Sequence, residues 1–98
     1  MKKLRWSRAA ANDLEEISIY LREHHAHLSV STVRRIYETA KSLRKFPERG
    51  RPGIFPGTRE LVLAPLPYLI QYSVDADFVY VLRILHGAQD WTVQREIG

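Results

Sequence analysis

Three apolar runs in the second half of the chain have the lengths of β-strands. They are rich in β-branched and aromatic residues and span residues 61–64, 68–74 and 79–85. Each run holds four to seven residues, which suits a strand and is too short for a well-formed helix. Prolines follow the first run and Asp75-Ala76-Asp77 the second, as expected of tight connections between strands. The pattern predicts an antiparallel three-stranded meander.

The first half of the chain has the periodicity of two amphipathic helices. The apolar positions of the first helix recur at intervals of three and four residues: Ala10, Leu14, Ile17 and Leu21. Those of the second follow the same rule: Val30, Val33, Ile36, Tyr37, Ala40 and Leu43. Ser7 is placed to cap the first helix, which is expected from about Arg8 to about His24. Ser29 and Ser31 are candidate caps for the second helix, and Pro47 would end it.

These elements predict an α+β fold in the order βααβββ. Leu4-Arg5-Trp6 alternates apolar and basic side chains and is predicted to be a short strand at the edge of the meander. The antiparallel sheet, formed by this N-terminal strand and the meander, would pack against the two-helix hairpin. Residues 47–58 are rich in proline and glycine and predict a loop that approaches the sheet. Residues 1–98 are expected to form a single domain.

Composition and charge narrow the function classes. The chain has no cysteine, so thiolate metal sites and disulfides are excluded, and a reducing cytoplasm is the expected location. It contains no apolar run long enough to span a membrane, and its first residues lack the apolar core of a signal peptide. The net charge is +4, and residues 34–51 hold seven basic side chains against two acidic ones. Such a segment indicates an acidic partner, or a solvated helix face with a cationic end.

Two arginines stand out within the predicted meander. Arg59 opens its first strand, and Arg83 interrupts its most apolar one. Alternation places Arg83 on the face of Val79 and Val81, opposite Ile70 of the neighbouring strand. Arg83 could pair with an acidic residue at the rim of the sheet, or it could bind an anionic ligand.

The histidines near the end of the first predicted helix do not indicate a metal site. Adjacent imidazoles in His24-His25-Ala26-His27 point in different directions, which does not suit a set of metal ligands. A solvated helix C-terminus accounts for them. We therefore expect neither a metal nor another cofactor.

Five local patterns, taken in order, resemble the RelE/ParE toxin superfamily of type II toxin–antitoxin modules. The first is Ser7-x-x-Ala10-x-x-Asp13-Leu14-x-x-Ile17-x-x-Tyr20, and the second is Leu43-x-x-Phe46-Pro47-x-x-Gly50-Arg51. The others are Thr58-Arg59-Glu60-Leu61-Val62, Tyr68-Leu69-Ile70-Gln71-Tyr72 and Val81-Leu82-Arg83-Ile84-Leu85-His86-Gly87. The resemblance covers nearly the whole chain and implies the same βααβββ fold.

The resemblance implies two alternative chemistries. RelE-type members are similar to ribonucleases that cut mRNA on the ribosome, whereas ParE-type members are similar to inhibitors of DNA gyrase. Arg59 matches the strand-opening arginine of the ribonucleases, and His86 matches their basic position past the last strand. Gly87 stands where a second arginine is expected, and Trp91 stands near the position of a tyrosine. A second proton-transfer group is therefore missing, which favours the gyrase inhibitor.

The resemblance also implies a set of candidate site residues. Under the ribonuclease alternative, His86 would serve as base or acid and Arg59 and Arg83 as anion clamps. Under the inhibitor alternative, Arg59 would brace the sheet through Glu60 or an acidic residue of the antitoxin. The candidates for binding the target or the antitoxin are Arg49, Arg51, Arg59, Arg83, His86 and Trp91.

The expected partners follow from the same resemblance. They are an acidic cognate antitoxin and either DNA gyrase, which is favoured, or the ribosome with its mRNA. The toxin–antitoxin complex could also contain two copies of this chain, and no membrane is expected to take part.

Overall fold

A computed structural model describes residues 1–87 of the chain. The elements are β1 (Lys3–Trp6), α1 (Arg8–His24), α2 (Ala26–Ser42), β2 (Arg51–Pro52), β3 (Thr58–Val62), β4 (Tyr68–Val74) and β5 (Phe78–His86). The strands form one sheet in the order β1-β5-β4-β3-β2. The predicted α+β class and βααβββ order are confirmed, and the two-residue β2 lies within the loop that was expected to approach the sheet. Neither helix in these residues is long and apolar enough to cross a membrane.

The meander of β3, β4 and β5 is antiparallel, as predicted, but β1 pairs with β5 in parallel. Lys3 lies beside Phe78, and Trp6 lies beside Val81. The expectation of a wholly antiparallel sheet is therefore wrong at this strand. Parallel neighbours need a long crossover, and both helices and three strands separate β1 from β5 in the chain.

Helix α1 begins and ends where its periodicity predicts. The hydroxyl of Ser7 accepts a hydrogen bond from the backbone N–H of Ala10 at 2.9 Å, which is the N-cap contact expected from the sequence. The same hydroxyl donates to the carbonyl of Leu82 at 2.7 Å. Ser7 therefore caps the helix and also fixes its start against β5.

Helix α2 begins earlier than predicted. A single residue, His25, separates the helices and gives α2 no side-chain cap, so the expectation of a cap at Ser29 or Ser31 is wrong. The buried residues of α2 include two with hydroxyl groups, Ser29 and Thr32, beside the apolar Ile36 and Ala40. Val30 of the predicted apolar stripe is 68% exposed, and Tyr37 lies outside the core, where its ring stacks on Trp6.

A β-bulge in β5 shifts the pairing of its second half. Tyr72 of β4 pairs with Val81, but the preceding Gln71 pairs with Arg83, so Leu82 is the extra residue. Arg83 consequently lies opposite Gln71, and the predicted pairing with Ile70 is wrong by one residue. Ile84 takes the position opposite Ile70, and both side chains are buried in the core.

Candidate functional site

Two regions of the surface contain the candidate site residues within residues 1–87. The first, the α1–β5 cleft, has a volume of about 310 Å³ and is lined by Asp13, Tyr20, Tyr68, Arg83 and His86, among others. The second, the arginine loop, comprises residues 47–59, which include Arg49, Arg51 and Arg59.

A two-pronged ion pair occupies the α1–β5 cleft. Arg83 donates from Nε to Asp13 Oδ2 at 2.7 Å and from Nη2 to Asp13 Oδ1 at 2.9 Å. The backbone N–H of Ile84 donates to the same Oδ2 at 3.0 Å. These bonds and the negative charge of Asp13 raise the pKa of Arg83 despite its partial burial. Asp13 therefore neutralises Arg83 and satisfies a backbone donor of β5 beyond the end of β1.

His86 stands at the mouth of the same cleft. It ends β5, pairs in register with Tyr68 and meets the ring of Tyr68 edge-on, with 5.5 Å between the ring centroids. Burial raises the pKa of Tyr68, and interaction with Tyr20 raises it further. Tyr20 lies across the cleft on α1, where its ring packs on His24. This end of the cleft is therefore aromatic and weakly polar, with His86 exposed at its rim.

The arginine loop is built around the buried hydroxyl of Tyr72. This hydroxyl accepts a hydrogen bond from Gly50 N–H at 2.8 Å and donates one to the carbonyl of Pro47 at 2.7 Å. A side chain at residue 50 would have no room, because its Cβ would lie 2.6 Å from Tyr72 Oη. Burial raises the pKa of Tyr72, although Gly50 N–H, Arg59 and Arg49 act in the opposite direction. The hydroxyl thus stays protonated at neutral pH and holds the loop against the sheet.

The three arginines of this loop have different partners. Arg59 donates to the carbonyl of Gly50 at 2.7 Å, and Arg49 donates to the hydroxyl of Ser42 at 2.6 Å. Arg51 pairs with the buried carboxylate of Glu60 at 3.4 Å. The sequence suggested that Arg59 contacts Glu60, but the carboxylate of Glu60 pairs with Arg51 instead. Two of the three guanidinium groups have neutral partners, so the loop keeps a positive charge.

The structure brings some of the sequence-predicted residues together and separates others. Arg83 and His86 line one cleft, whereas Arg59 lines another with Thr58 and Val74. Arg59 pairs with Tyr72, and His86 pairs with Tyr68, four residues away along β4. This offset corresponds to about 13 Å along the strand. Trp91 lies outside the described residues.

Two residues that organise these regions were not recognised from the sequence. Asp13 is one of several acidic residues on α1, and its pairing with Arg83 spans 70 positions in the chain. The sequence did offer one signal, because Asp13 is part of the first of the five local patterns. Tyr72 lies in phase with the inward positions of β4, and an inward tyrosine needs a hydrogen-bond partner for its hydroxyl. In residues 1–87, no three histidine, aspartate or glutamate side chains are grouped to hold a metal ion.

Comparison with known proteins places this arrangement among toxins. The family model of the ParE toxin of type II toxin–antitoxin systems, parDE, matches residues 4–91. The Sinorhizobium fredii protein Y4kP, which is named as a toxin, is 38% identical over 92% of this chain and 93% of its own. Toxin RelE2 of Caulobacter vibrioides is 35% identical over 91% of this chain and 99% of its own.

A solved structure supports the same placement. The chain from the chromosomal ParDE toxin–antitoxin system of P. aeruginosa is 30% identical, with a TM-score of 0.79. The match covers 88% of this chain and 96% of that one. Sequence and fold thus agree across nearly the whole of each molecule.

Proposed function

The chain belongs to the ParE family of toxins from type II toxin–antitoxin systems, and from this premise we propose that it inhibits DNA gyrase. On this proposal the chain acts by binding and does not itself break a phosphodiester bond. A cognate antitoxin would bind the free toxin and keep it inactive. Gyrase works on DNA in the bacterial cytoplasm, which is where the chain would act.

The separation of the candidate catalytic groups is the observation that carries this proposal. RNA cleavage needs a base, an acid and a cation at one phosphodiester group. His86 and Arg59 line different clefts, about 13 Å apart along β4. Arg83 shares a cleft with His86, but its charge is neutralised by Asp13 at 2.7 Å. A surface that inhibits another protein by binding it does not require His86, Arg59 and Arg83 to meet at one point.

The edge of the sheet next to the arginine loop supports an antitoxin partner. Within residues 1–87, β2 pairs only with Arg59 and Glu60 of β3, so in this part of the chain the rest of that edge is open to another strand. Three large apolar side chains are about half exposed beside it: Ile54, Phe55 and Val62. Charges of the arginine loop would attract an acidic segment to this edge, and the apolar side chains would bury against it.

Two assays on the purified chain test the target. We expect inhibition of supercoiling, or accumulation of cleaved DNA, with gyrase and ATP, and no cleavage of mRNA on translating ribosomes. In the gyrase assay, His86→Ala should retain the activity of the wild type. His27→Ala is the matched control, because His27 is also exposed but lies on α2, away from the cleft.

A ribosome-dependent ribonuclease is the second candidate. Its support is the 35% identity to toxin RelE2, together with the exposed imidazole of His86 at the rim of a cleft. In that case His86→Ala would lower mRNA cleavage by about 10²–10⁴-fold, as expected for a general acid or base. Cleavage of mRNA with that sensitivity, and no effect on gyrase, would replace the present proposal.

A further inference from the structure

A concave basic surface lies at the end of the molecule where β1 begins. This surface, the basic basin, has a volume of about 750 Å³. Its cationic side chains are Lys2, Lys3, Arg44 and Lys45, and Asp77 is the acidic side chain in its lining. None of the residues of the α1–β5 cleft or the arginine loop's three arginines lines it.

Backbone hydrogen bonds hold the walls of the basin in place. Lys2 N–H donates to the carbonyl of Arg44 at 3.2 Å, which ties β1 to the turn after α2. Lys3 N–H donates to the carbonyl of Asp77 at 2.8 Å, which ties β1 to the β4–β5 turn. The ammonium group of Lys2 donates to the carbonyls of Asp75 and Ala76. Three segments distant in sequence thus form one depression, and two of them supply its cations.

Lys3 and Lys45 are the cations of the basic basin that contribute least to holding the fold together. Both are exposed, and within residues 1–87 neither has an ion-pair partner. Lys3 lies over the ring of Phe78 at 6.0 Å, and Lys45 lies over the ring of Phe46 at 5.6 Å. The end of α2 favours cations and accounts for Lys45. It does not account for Lys3, which is on β1.

We propose that the basic basin binds the phosphate backbone of duplex DNA. Cations alone suffice to bind phosphates, and binding is driven by the release of their counterions. An acidic peptide would be held best by several aromatic anchors, and among residues 1–87 Phe78 is the only aromatic side chain in the lining. The choice of DNA over other polyanions rests on the proposed gyrase target, which acts on DNA. A toxin that contacts both enzyme and DNA would be held at the place where gyrase works.

Salt dependence gives the proposal a quantitative form. Each phosphate contact contributes about 0.9 to the slope of log K against log salt concentration. Three contacting cations would give a slope of roughly −3, and removal of two would reduce its magnitude by about 2. Such binding should show little preference for base sequence, because backbone contacts carry no sequence information.

Fluorescence anisotropy with a short labelled duplex of random sequence is the direct test. The full chain should bind with the steep salt dependence above, and Lys3→Gln/Lys45→Gln should weaken binding at low salt at least about tenfold. The control is Arg22→Gln/Arg34→Gln, which removes the same charge from exposed positions on the two helices. It should bind DNA nearly as well as the wild type. Thermal unfolding of both variants verifies that they fold.

Three results would overturn the basin proposal: no binding to the duplex, equal weakening by both double variants, or tighter binding to single-stranded RNA or polyglutamate than to DNA. Gyrase inhibition is measured separately on the same proteins. A chain that binds DNA through Lys3 and Lys45 but leaves gyrase active would disprove the target and leave the basin intact. A chain that inhibits gyrase without binding DNA would disprove the basin alone.

Discussion

Arginine has opposite consequences in the α1–β5 cleft and in the arginine loop. In the cleft, Arg83 forms two hydrogen bonds with one carboxylate, so the region gains rigidity and little net charge. In the loop, Arg59 and Arg49 donate to a carbonyl and a hydroxyl, so their positive charges are not cancelled. An arginine bound to a carboxylate stabilises the fold, whereas one bound to a neutral group can also attract a partner.

This difference explains why the role of an arginine in this protein cannot be assigned from its residue type alone. Asp13 is largely buried, with 13% of its side chain exposed, and it also accepts from the backbone of β5. The corresponding anchor of the arginine loop is a neutral phenol, Tyr72, which holds Gly50 and Pro47. We expect mutations of the two anchors to lower stability, and mutations of the loop arginines to affect association.

Removal of Asp13 should have the largest effect on stability. Asp13→Ala breaks both bonds to Arg83 and leaves the N–H of Ile84 unpaired, so the free energy of unfolding should fall by about 2–3 kcal/mol. Chemical denaturation measures this change. Glu15→Ala, on the same helix, exposed and outside the cleft lining, should change it by less than about 0.5 kcal/mol. Equal losses in the two variants would show that Asp13 does not anchor the cleft.

A methyl group at residue 50 tests the anchor of the arginine loop. In Gly50→Ala the new Cβ would lie 2.6 Å from Tyr72 Oη, and Tyr72 is fully buried and cannot retreat. We expect a loss of about 1–3 kcal/mol from overpacking, measured by denaturation. The matched control is Gly87→Ala, where the nearest atom to the new Cβ is 3.5 Å away. If Gly50→Ala were as stable as Gly87→Ala, the loop would not be held by this contact.

Loss of the Tyr72 hydroxyl should have a somewhat smaller effect. Tyr72→Phe leaves Gly50 N–H and the Pro47 carbonyl without their partner, which should cost about 1–2 kcal/mol. The ring remains in the core, so its packing is preserved.

The same variant should change the pH dependence of stability. Burial raises the pKa of Tyr72 above its ordinary value of 10.0, so the stability due to its protonated form is complete below that pH. It is lost as the pH rises through the folded-state pKa. Unfolding free energies measured across this alkaline range should therefore fall less steeply for Tyr72→Phe than for the wild type. Tyr68, whose pKa is also raised, should maintain part of the slope in both proteins.

Neutralising a loop arginine should have the smallest effect on stability. Arg49 is exposed, and within residues 1–87 its guanidinium bonds to the neutral hydroxyl of Ser42, so Arg49→Gln should change the free energy of unfolding by less than about 0.5 kcal/mol. At low salt it should slow association with the proposed antitoxin several-fold, and the difference should shrink at high salt. Stopped-flow mixing measures the association rate at low and at high salt, with Arg22→Gln as the control variant. Identical rates for the two variants would place the antitoxin away from this loop.

Periodicity predicted the elements well where local contacts define them. The bounds of α1 and β4 follow from apolar spacing, and the Ser7 cap follows from a hydroxyl placed before the helix. The start of α2 was missed because Ser29 and Thr32 face the core, and hydroxyl residues do not register as part of an apolar stripe. A helix that begins after one connecting residue also has no conventional cap to mark it.

Long-range features were beyond the reach of pattern alone. The direction of β1 depends on a partner more than 70 positions away, and the bulge at Leu82 has no glycine or proline to signal it. That bulge moved Arg83 by one register position, which brought it opposite Gln71. The candidate residues were named individually, but their division between two clefts required the folded sheet.

The parallel pairing of β1 with β5 has a consequence for synthesis. β1 comprises residues 3–6, yet its neighbour in the sheet comprises residues 78–86. At about 5–20 residues per second, several seconds pass before β5 exists. Throughout that interval the nascent polypeptide lacks the strand to which β1 and the start of α1 are attached. β1 therefore cannot take its place in the sheet, and the α1–β5 cleft cannot form, until residues 78–86 have been translated.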